Sequence, residues 1–82
     1  MAYRLFISEE ARGQIRALPD EVRRNIGHRL DLLEAEFAGD IKKLEGLRNH
    51  YRLRVGVYRV LFRMNENALE VYAVKQRKSA YE

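Results

Sequence analysis

The feature of this sequence that most constrains its fold is a pair of alternating segments in the second half. Residues 51–55 alternate apolar side chains with Arg52 and Arg54, and residues 58–64 alternate in the same way around Arg59. A period of two is typical of a β-strand that buries one of its faces. The two segments therefore predict neighbouring strands whose apolar side chains meet a core and whose arginines point to the opposite face.

The first half of the sequence predicts one strand and two helices. Residues 3–8 alternate as a strand does, and Ser8 followed by two glutamates is typical of a helix start. Pro19 ends that helix, and Asp20 is expected to cap a second, longer one. In the second helix apolar residues recur every three or four positions, which predicts a buried stripe, and Gly39 is the expected stop.

The remaining segments complete one small domain that spans residues 1–82. Residues 40–49 are expected to be a connection, residues 65–67 a turn and residues 69–74 a final strand. The predicted order is β-α-α-β-β-β, an α+β fold in which an antiparallel sheet carries a two-helix hairpin packed on one face. The other face of the sheet is then available for the arginines.

The distribution of charge favours a polyanionic partner. Residues 1–40 hold six Lys/Arg against eight Asp/Glu, a net charge of −2, whereas residues 41–82 hold ten against four, a net charge of +6. This asymmetry makes nucleic acid the leading candidate, and a basic protein with a solvated face is the alternative.

Other features of the composition exclude several classes of protein. With no cysteine, the chain can form neither disulfides nor thiolate metal sites. It contains no apolar run of the ~18 residues that a membrane span needs, and its start lacks a signal-peptide core. We therefore expect a cytoplasmic protein that has no membrane contact.

Three segments resemble the RelE/ParE superfamily of type II toxin–antitoxin toxins. They are "LPDEVRRNIGHRLDLL", "GDIKKLEGLRNHYRLRVGVYRVLF" and "VKQRKSAY", and together they cover most of the chain. The resemblance implies a small twisted antiparallel sheet with two helices on one side. It also implies a RelB-like antitoxin, which neutralises the toxin and through which the pair reaches operator DNA.

The RelE branch of this superfamily implies an mRNA interferase, which enters the ribosomal A site and cuts the codon there by attack of the 2′-OH. No cofactor and no metal are implied. Two alternatives remain open. One is a ParE-like inhibitor of DNA gyrase, and the other is a weakly active toxin that acts mainly as antitoxin partner and corepressor.

Metal-independent RNA cleavage needs a base, cationic donors around the phosphate and an acid for the leaving group. Arginine suits the second role because its planar fork binds phosphate oxygens and stays charged. The resemblance makes Arg59 a phosphate and transition-state clamp, Arg77 a stabiliser of charge or of the leaving group, and Tyr81 a residue that stacks on a base or orients the 2′-OH. The catalytic set is then Arg54, Arg59, Arg77 and Tyr81, and the RNA-binding set is His50, Arg52, Arg54, Lys75 and Lys78.

The general base is not assigned by this resemblance. Arginine hardly gives up its proton near neutrality, and it occupies both Arg52 and Arg54, where some relatives carry lysine. His50 stands just before the strand and is the nearest side chain of suitable chemistry, although a single histidine at a strand edge is often simply exposed. Gln76 stands where many relatives have histidine.

Overall fold

The structure is a computed structural model that describes residues 3–76. Within that range the five strands form one sheet in the order β1-β5-β4-β3-β2. The predicted α+β class, with two consecutive helices after the first strand, is confirmed. In chain order the elements are β1 (Arg4–Ile7), α1 (Glu9–Arg16), α2 (Asp20–Glu36), β2 (Asp40–Lys43), β3 (His50–Val55), β4 (Tyr58–Asn65) and β5 (Ala68–Gln76).

The sheet differs from the expected one at both edges. The segment predicted as a connection contains strand β2, which pairs antiparallel with β3 and sets Ile41 opposite Leu53. Four residues are too few for an alternating pattern to stand out, so pairing with β3 rather than local sequence defines this strand. At the other edge β1 runs parallel to β5, from which both helices and three strands separate it along the chain. The sheet is therefore mixed.

The core lies between the two helices and one face of the sheet, as predicted. Ile26, Leu30 and Leu33 of α2 are buried, and so is Ala11 of α1. The apolar side chains of the strands pack against these helical residues, since alternate residues of each strand point to the same face of the sheet. The buried sheet residues of this core are Leu53, Val55, Val60, Phe62, Leu69, Val71 and Val74.

The first helix begins as predicted, whereas the second begins and ends differently. Ser8 Oγ accepts a hydrogen bond from the backbone N–H of Ala11 at 3.1 Å. The prediction that Asp20 caps α2 was wrong: Pro19 holds the cap position, and Asp20 is the first helical residue, where it pairs with Arg23. The fixed φ of proline suits the residue that leads into a helix.

Helix α2 ends at Glu36, and Phe37 rather than the predicted Gly39 is its C-terminal cap. Phe37 adopts the left-handed conformation, with φ of 52°, and its N–H donates to the carbonyl of Leu33 at 2.9 Å. A non-glycine residue is uncommon in this conformation. Here the aromatic ring packs against Tyr3, Tyr51 and Phe62, with centroid distances of 5.3, 5.9 and 6.1 Å, so core contacts offset the backbone strain.

The structure predicts opposite effects for two glycine-to-alanine substitutions. Gly39 has φ of +137°, and a Cβ there would lie 2.7 Å from Leu53 Cδ1, whereas Gly27 lies inside α2 with open space around it. Gly39→Ala should lower the free energy of unfolding by at least about 1 kcal/mol, while Gly27→Ala should raise it by about 0.5–1 kcal/mol. Urea denaturation measures both values, and equal stability of the two variants would contradict the packing described at Gly39.

Candidate nucleic-acid interface

The face of the sheet that points away from the helices, called the open face below, is strongly basic. Strand alternation and register place seven Lys/Arg against two Asp/Glu on it among the described residues. Charge of one sign concentrated on one face of a small domain attracts polyanions. Its side chains are Arg4, Phe6, Asp40, Lys42, His50, Arg52, Arg54, Arg59, Leu61, Arg63, Glu70, Tyr72, Ala73 and Lys75.

Three cations stand side by side across the middle of this face. Arg54 of β3 is the direct partner of Arg59 in β4, and Arg59 is the direct partner of Lys75 in β5. We call these three residues the cationic row. Directly opposite residues of an antiparallel pair have Cβ atoms roughly 5 Å apart, and like charges at that spacing are destabilising. The cationic row therefore opposes folding, and a bound anion would relieve its repulsion.

Asp40 extends the row on strand β2 and supplies a carboxylate. Its register partner is Arg54, and its Oδ2 lies 4.0 Å from Arg54 Nε. Its Oδ1 lies 3.9 Å from Nη1 of Arg52. Asp40 thus offsets part of the positive charge and places an oxygen that can accept a proton beside the row.

An open concavity of about 380 Å³ lies beside β2 and the cationic row. Arg52 is 6% exposed, so its side chain lies on the open face but is largely covered by its neighbours. Arg54 is more accessible. The arrangement combines buried and accessible guanidinium groups, which suits the bidentate binding of a phosphate. The concavity is lined by Lys42, Lys43, Leu44, Glu45, Arg52, Arg54 and Arg59.

A second polar cluster occupies the other end of the open face. The register of β4 against β5 shifts beside Leu61 and Phe62, which leaves Tyr72 as an extra residue in β5. Tyr72 Oη lies 2.9 Å from Nδ1 of His50, and the guanidinium of Arg63 lies 5.6 Å from the centre of the Tyr72 ring. Tyr72 lies on the same face as Glu70, two residues before it, and its hydroxyl reaches the histidine from there.

The structure brings together some of the predicted site residues and separates others. Arg52, Arg54, Arg59 and Lys75 lie together at and beside the cationic row. His50 is four residues from Arg54 along β3, a separation of about 13 Å in a strand. It is therefore too distant to share a phosphate that the row contacts. The predicted residues Arg77, Lys78 and Tyr81 lie outside the described residues.

Sequence reasoning did not assign several residues of the open face to the site, among them Asp40, Lys42 and Tyr72. Asp40 and Lys42 were missed because their segment was interpreted as a connection, although an acid and a lysine two residues apart beside an isoleucine are compatible with a short strand. Tyr72 was assigned only to the final strand, although its alternation with Leu69 and Val71 already placed it on the face of Glu70. Its contact with His50 was missed because the pairing of β3, β4 and β5 brings the two residues together.

Two kinds of feature are absent from the described part of the chain: a group of metal-ligating side chains and a membrane-spanning helix. No three His, Asp or Glu side chains within residues 3–76 are grouped so that they could hold a metal ion. Neither helix in that range is long and apolar enough to cross a membrane.

Comparison with known proteins identifies relatives of this chain. A chain in the crystal structure of the archaeal RelE–RelB complex from Pyrococcus horikoshii OT3 is 31% identical, with a TM-score of 0.83 over 98% of this chain and 100% of that one. This chain belongs to the RelE family of toxins. The isolated RelE toxin of E. coli is 25% identical, with a TM-score of 0.77 over 96% of this chain and 88% of that one.

A curated relative supports the same family from sequence alone. Toxin RelE3 of Methanocaldococcus jannaschii is 44% identical over 43 residues, which are 52% of this chain and 49% of that protein. The match therefore spans about half the length of the curated relative. No protein-family model matches the chain.

The repulsion within the cationic row can be measured. Lys75→Gln should raise the free energy of unfolding by about 0.2–1 kcal/mol at low salt, because it removes a like charge opposite Arg59. The gain should shrink in 1 M NaCl, where the Debye length is about 3 Å. Arg29→Gln, on the exposed side of α2, is the matched control and should change stability little at either salt concentration. A Lys75→Gln variant less stable than the control would contradict the repulsion.

The pair of His50 and Tyr72 can be tested through the dependence of stability on pH. Burial raises the pKa of Tyr72 above its ordinary value of 10.0, and the charge of Arg63 partly opposes this. Because the raised pKa favours the neutral phenol in the folded state, its contribution is present below pH 10 and is lost as the pH rises further. Tyr72→Phe should cost about 1 kcal/mol at pH 7 through the lost hydrogen bond.

The stability difference between wild type and Tyr72→Phe should therefore narrow above pH 10. Urea denaturation of both proteins at pH 7, 9 and 10.5 measures it. A difference that widens with pH would contradict the direction of the shift.

Proposed function

We propose that this chain is the toxin of a type II toxin–antitoxin module and that it cleaves mRNA in the ribosomal A site. The observation that carries the proposal is the cationic row on the open face of a RelE-family fold. A row of like charges opposes folding. Such a row is retained most readily where it binds an anion, and the backbone of RNA supplies one phosphate per nucleotide.

In the proposed reaction the 2′-oxygen of one nucleotide attacks the adjacent phosphorus. The bond from phosphorus to O2′ forms, the bond from phosphorus to O5′ breaks, and the products carry a 2′,3′-cyclic phosphate and a 5′-hydroxyl. Arg54 and Arg59 would hold the two non-bridging oxygens and stabilise the negative charge that grows on them. Arg52 and Lys75 would bind neighbouring phosphates.

The proton of the 2′-OH needs an acceptor near the row. We assign it to the carboxylate of Asp40, which lies 4.0 Å from Arg54 and is accessible from the open face. His50 lies four residues from Arg54 along β3, a separation of about 13 Å. Its proposed part is RNA binding. Protonation of O5′ is assigned to the C-terminal segment, where Arg77 and Tyr81 remain predictions from the family resemblance.

The proposed partners follow from the same face. The Pyrococcus horikoshii relative was crystallised as a RelE–RelB complex, and we propose that a RelB-like antitoxin binds this chain as well. The basic open face would attract acidic segments of such a partner as well as RNA. Operator DNA would be reached only through the antitoxin complex, and mRNA would be met in the A site of cytoplasmic ribosomes.

The experiment is primer extension on mRNA from a reconstituted translation reaction, with ribosomes omitted from a parallel reaction. Wild type should cut within A-site codons only when ribosomes are present. Arg59→Gln should lower the rate of cleavage by about 10²–10³-fold, the range for one transition-state donor. Asp40→Asn should lower it by about 10²–10⁴-fold, the range for one general base. Arg29→Gln, which keeps the open face intact, should cut like wild type.

The outcomes separate the proposals. Absence of cuts from a folded wild-type chain would favour the gyrase inhibitor or the inactive antitoxin partner, and supercoiling of relaxed DNA by gyrase would then be assayed. Wild-type rates for Asp40→Asn would remove that residue from the mechanism and leave the ribonuclease activity standing.

A further inference from the structure

We propose that the open face carries a second RNA subsite, in which Phe6 stacks on a nucleobase a few nucleotides from the cleaved bond. This inference rests on the proposed function, since it concerns how the same RNA strand is held. It assigns a ligand to a second concavity, which none of the three residues of the cationic row lines.

Phe6 is the aromatic residue that stands out on the open face. Three large hydrophobic side chains are exposed among residues 3–76, and two of them, Leu47 and Val57, lie in turns. Phe6 lies on β1 beside Glu70 of β5 and is 49% exposed. An exposed aromatic ring on a basic sheet face is the usual platform for an unpaired base.

The surroundings of Phe6 suit a nucleotide. The ring lines an open concavity of about 570 Å³, to which Met64 and Ala68 add apolar surface. Asn49 and Asn65 also line it, and their amides can donate to and accept from the edge of a base. An apolar floor with a few polar groups is the common form of a small-ligand site.

The charges around this concavity favour a phosphate-bearing ligand. The guanidinium of Arg4 lies 5.6 Å from the centre of the Phe6 ring. About half of the surface of Phe6 nevertheless stays exposed. Arg48 and Arg63 line the same concavity, and Glu70 is the acidic residue among its lining side chains. Arg63 is paired with Glu70 at 2.6 Å. Glu70 is thus occupied by Arg63 and does not neutralise the positive charge of Arg4 and Arg48.

The distance to the cationic row fits a continuous strand of RNA. Arg63 is four residues from Arg59 along β4, or about 13 Å, and Phe6 lies two strands across from Arg63, or about 10 Å. A single strand whose phosphate contacts the row can cover this separation with a few nucleotides. Glu70, which lies between Phe6 and Arg63, is paired with Arg63. An exposed ring beside two asparagine amides suits a nucleobase, so we commit to RNA rather than to an acidic protein segment.

The first test uses a tryptophan at the proposed platform. The chain contains no tryptophan, so Phe6→Trp provides a single emission signal at the site. The ligand is a 2′-O-methyl hexaadenylate, which lacks the attacking hydroxyl and is not cleaved. Binding should quench the Trp emission with the same Kd that anisotropy of a labelled oligonucleotide gives. Binding by anisotropy with unchanged Trp emission would overturn the proposal.

The second test compares a loss of aromaticity with a loss of charge. Phe6→Leu should weaken hexamer binding by about 5- to 150-fold, the range for one stacked base, and by the same factor at 50 and 200 mM NaCl. Arg54→Gln should also weaken binding, but its effect should shrink as salt rises, because it removes a phosphate contact. A dinucleotide is too short to reach both sites, so Phe6→Leu should leave its affinity at the cationic row unchanged.

The outcomes distinguish this subsite from the function on which it rests. Wild-type affinity of Phe6→Leu, together with weakened binding by Arg54→Gln, would overturn the subsite and leave the proposed function in place. Loss of antitoxin binding by Phe6→Leu at unchanged RNA affinity would assign the ring to the protein partner and overturn the subsite. If the wild-type chain bound neither oligonucleotide, the subsite and the RNA-binding face would both be lost.

Discussion

The pairing of β3 with β4 is the contact on which the rest of the structure depends. The same register places Leu53 opposite Val60 on the buried face and Arg54 opposite Arg59 on the open face. The apolar pair contributes to a core that both helices cover, whereas the charged pair repels. Burial on one face therefore holds the arginines at a spacing that they would not adopt by themselves. A slip of one residue would exchange the two faces and destroy both the core and the site.

This arrangement explains how a small domain can hold a concentrated charge. A chain of this length buries only about 60–65% of the surface of its unfolded state, so its stability is limited. Repulsion between the like charges of the cationic row works against that stability, and Asp40 offsets part of it beside Arg54. A bound phosphate or an acidic segment of a partner would offset the positive charge further. Stability and ligand binding are thus coupled through the same side chains.

Most of the fold was predictable because its elements carry strong local patterns. The alternation of β3 and β4, the Ser8 cap and the apolar stripe of α2 all appear in the structure as predicted. Strand β2 was not predictable, since its four residues become a strand only by pairing with β3. The C-terminal cap of α2 at Phe37 was missed for a related reason: contacts with three aromatic rings from distant segments outweigh the preference for glycine.

The sequence by itself determined the α+β class, the two helices and the presence of arginines on one face of a sheet, because these depend on periodicity and charge along the chain. The tertiary structure alone decided which charges meet. Arg59 and Lys75 are neighbours only through the pairing of β4 with β5, and the separation of His50 from the cationic row follows from strand geometry. The concavity beside Phe6 arises where the parallel edge strand joins β5. Sequence spacing does not encode these distances, since they are set by register between segments that lie far apart in the chain.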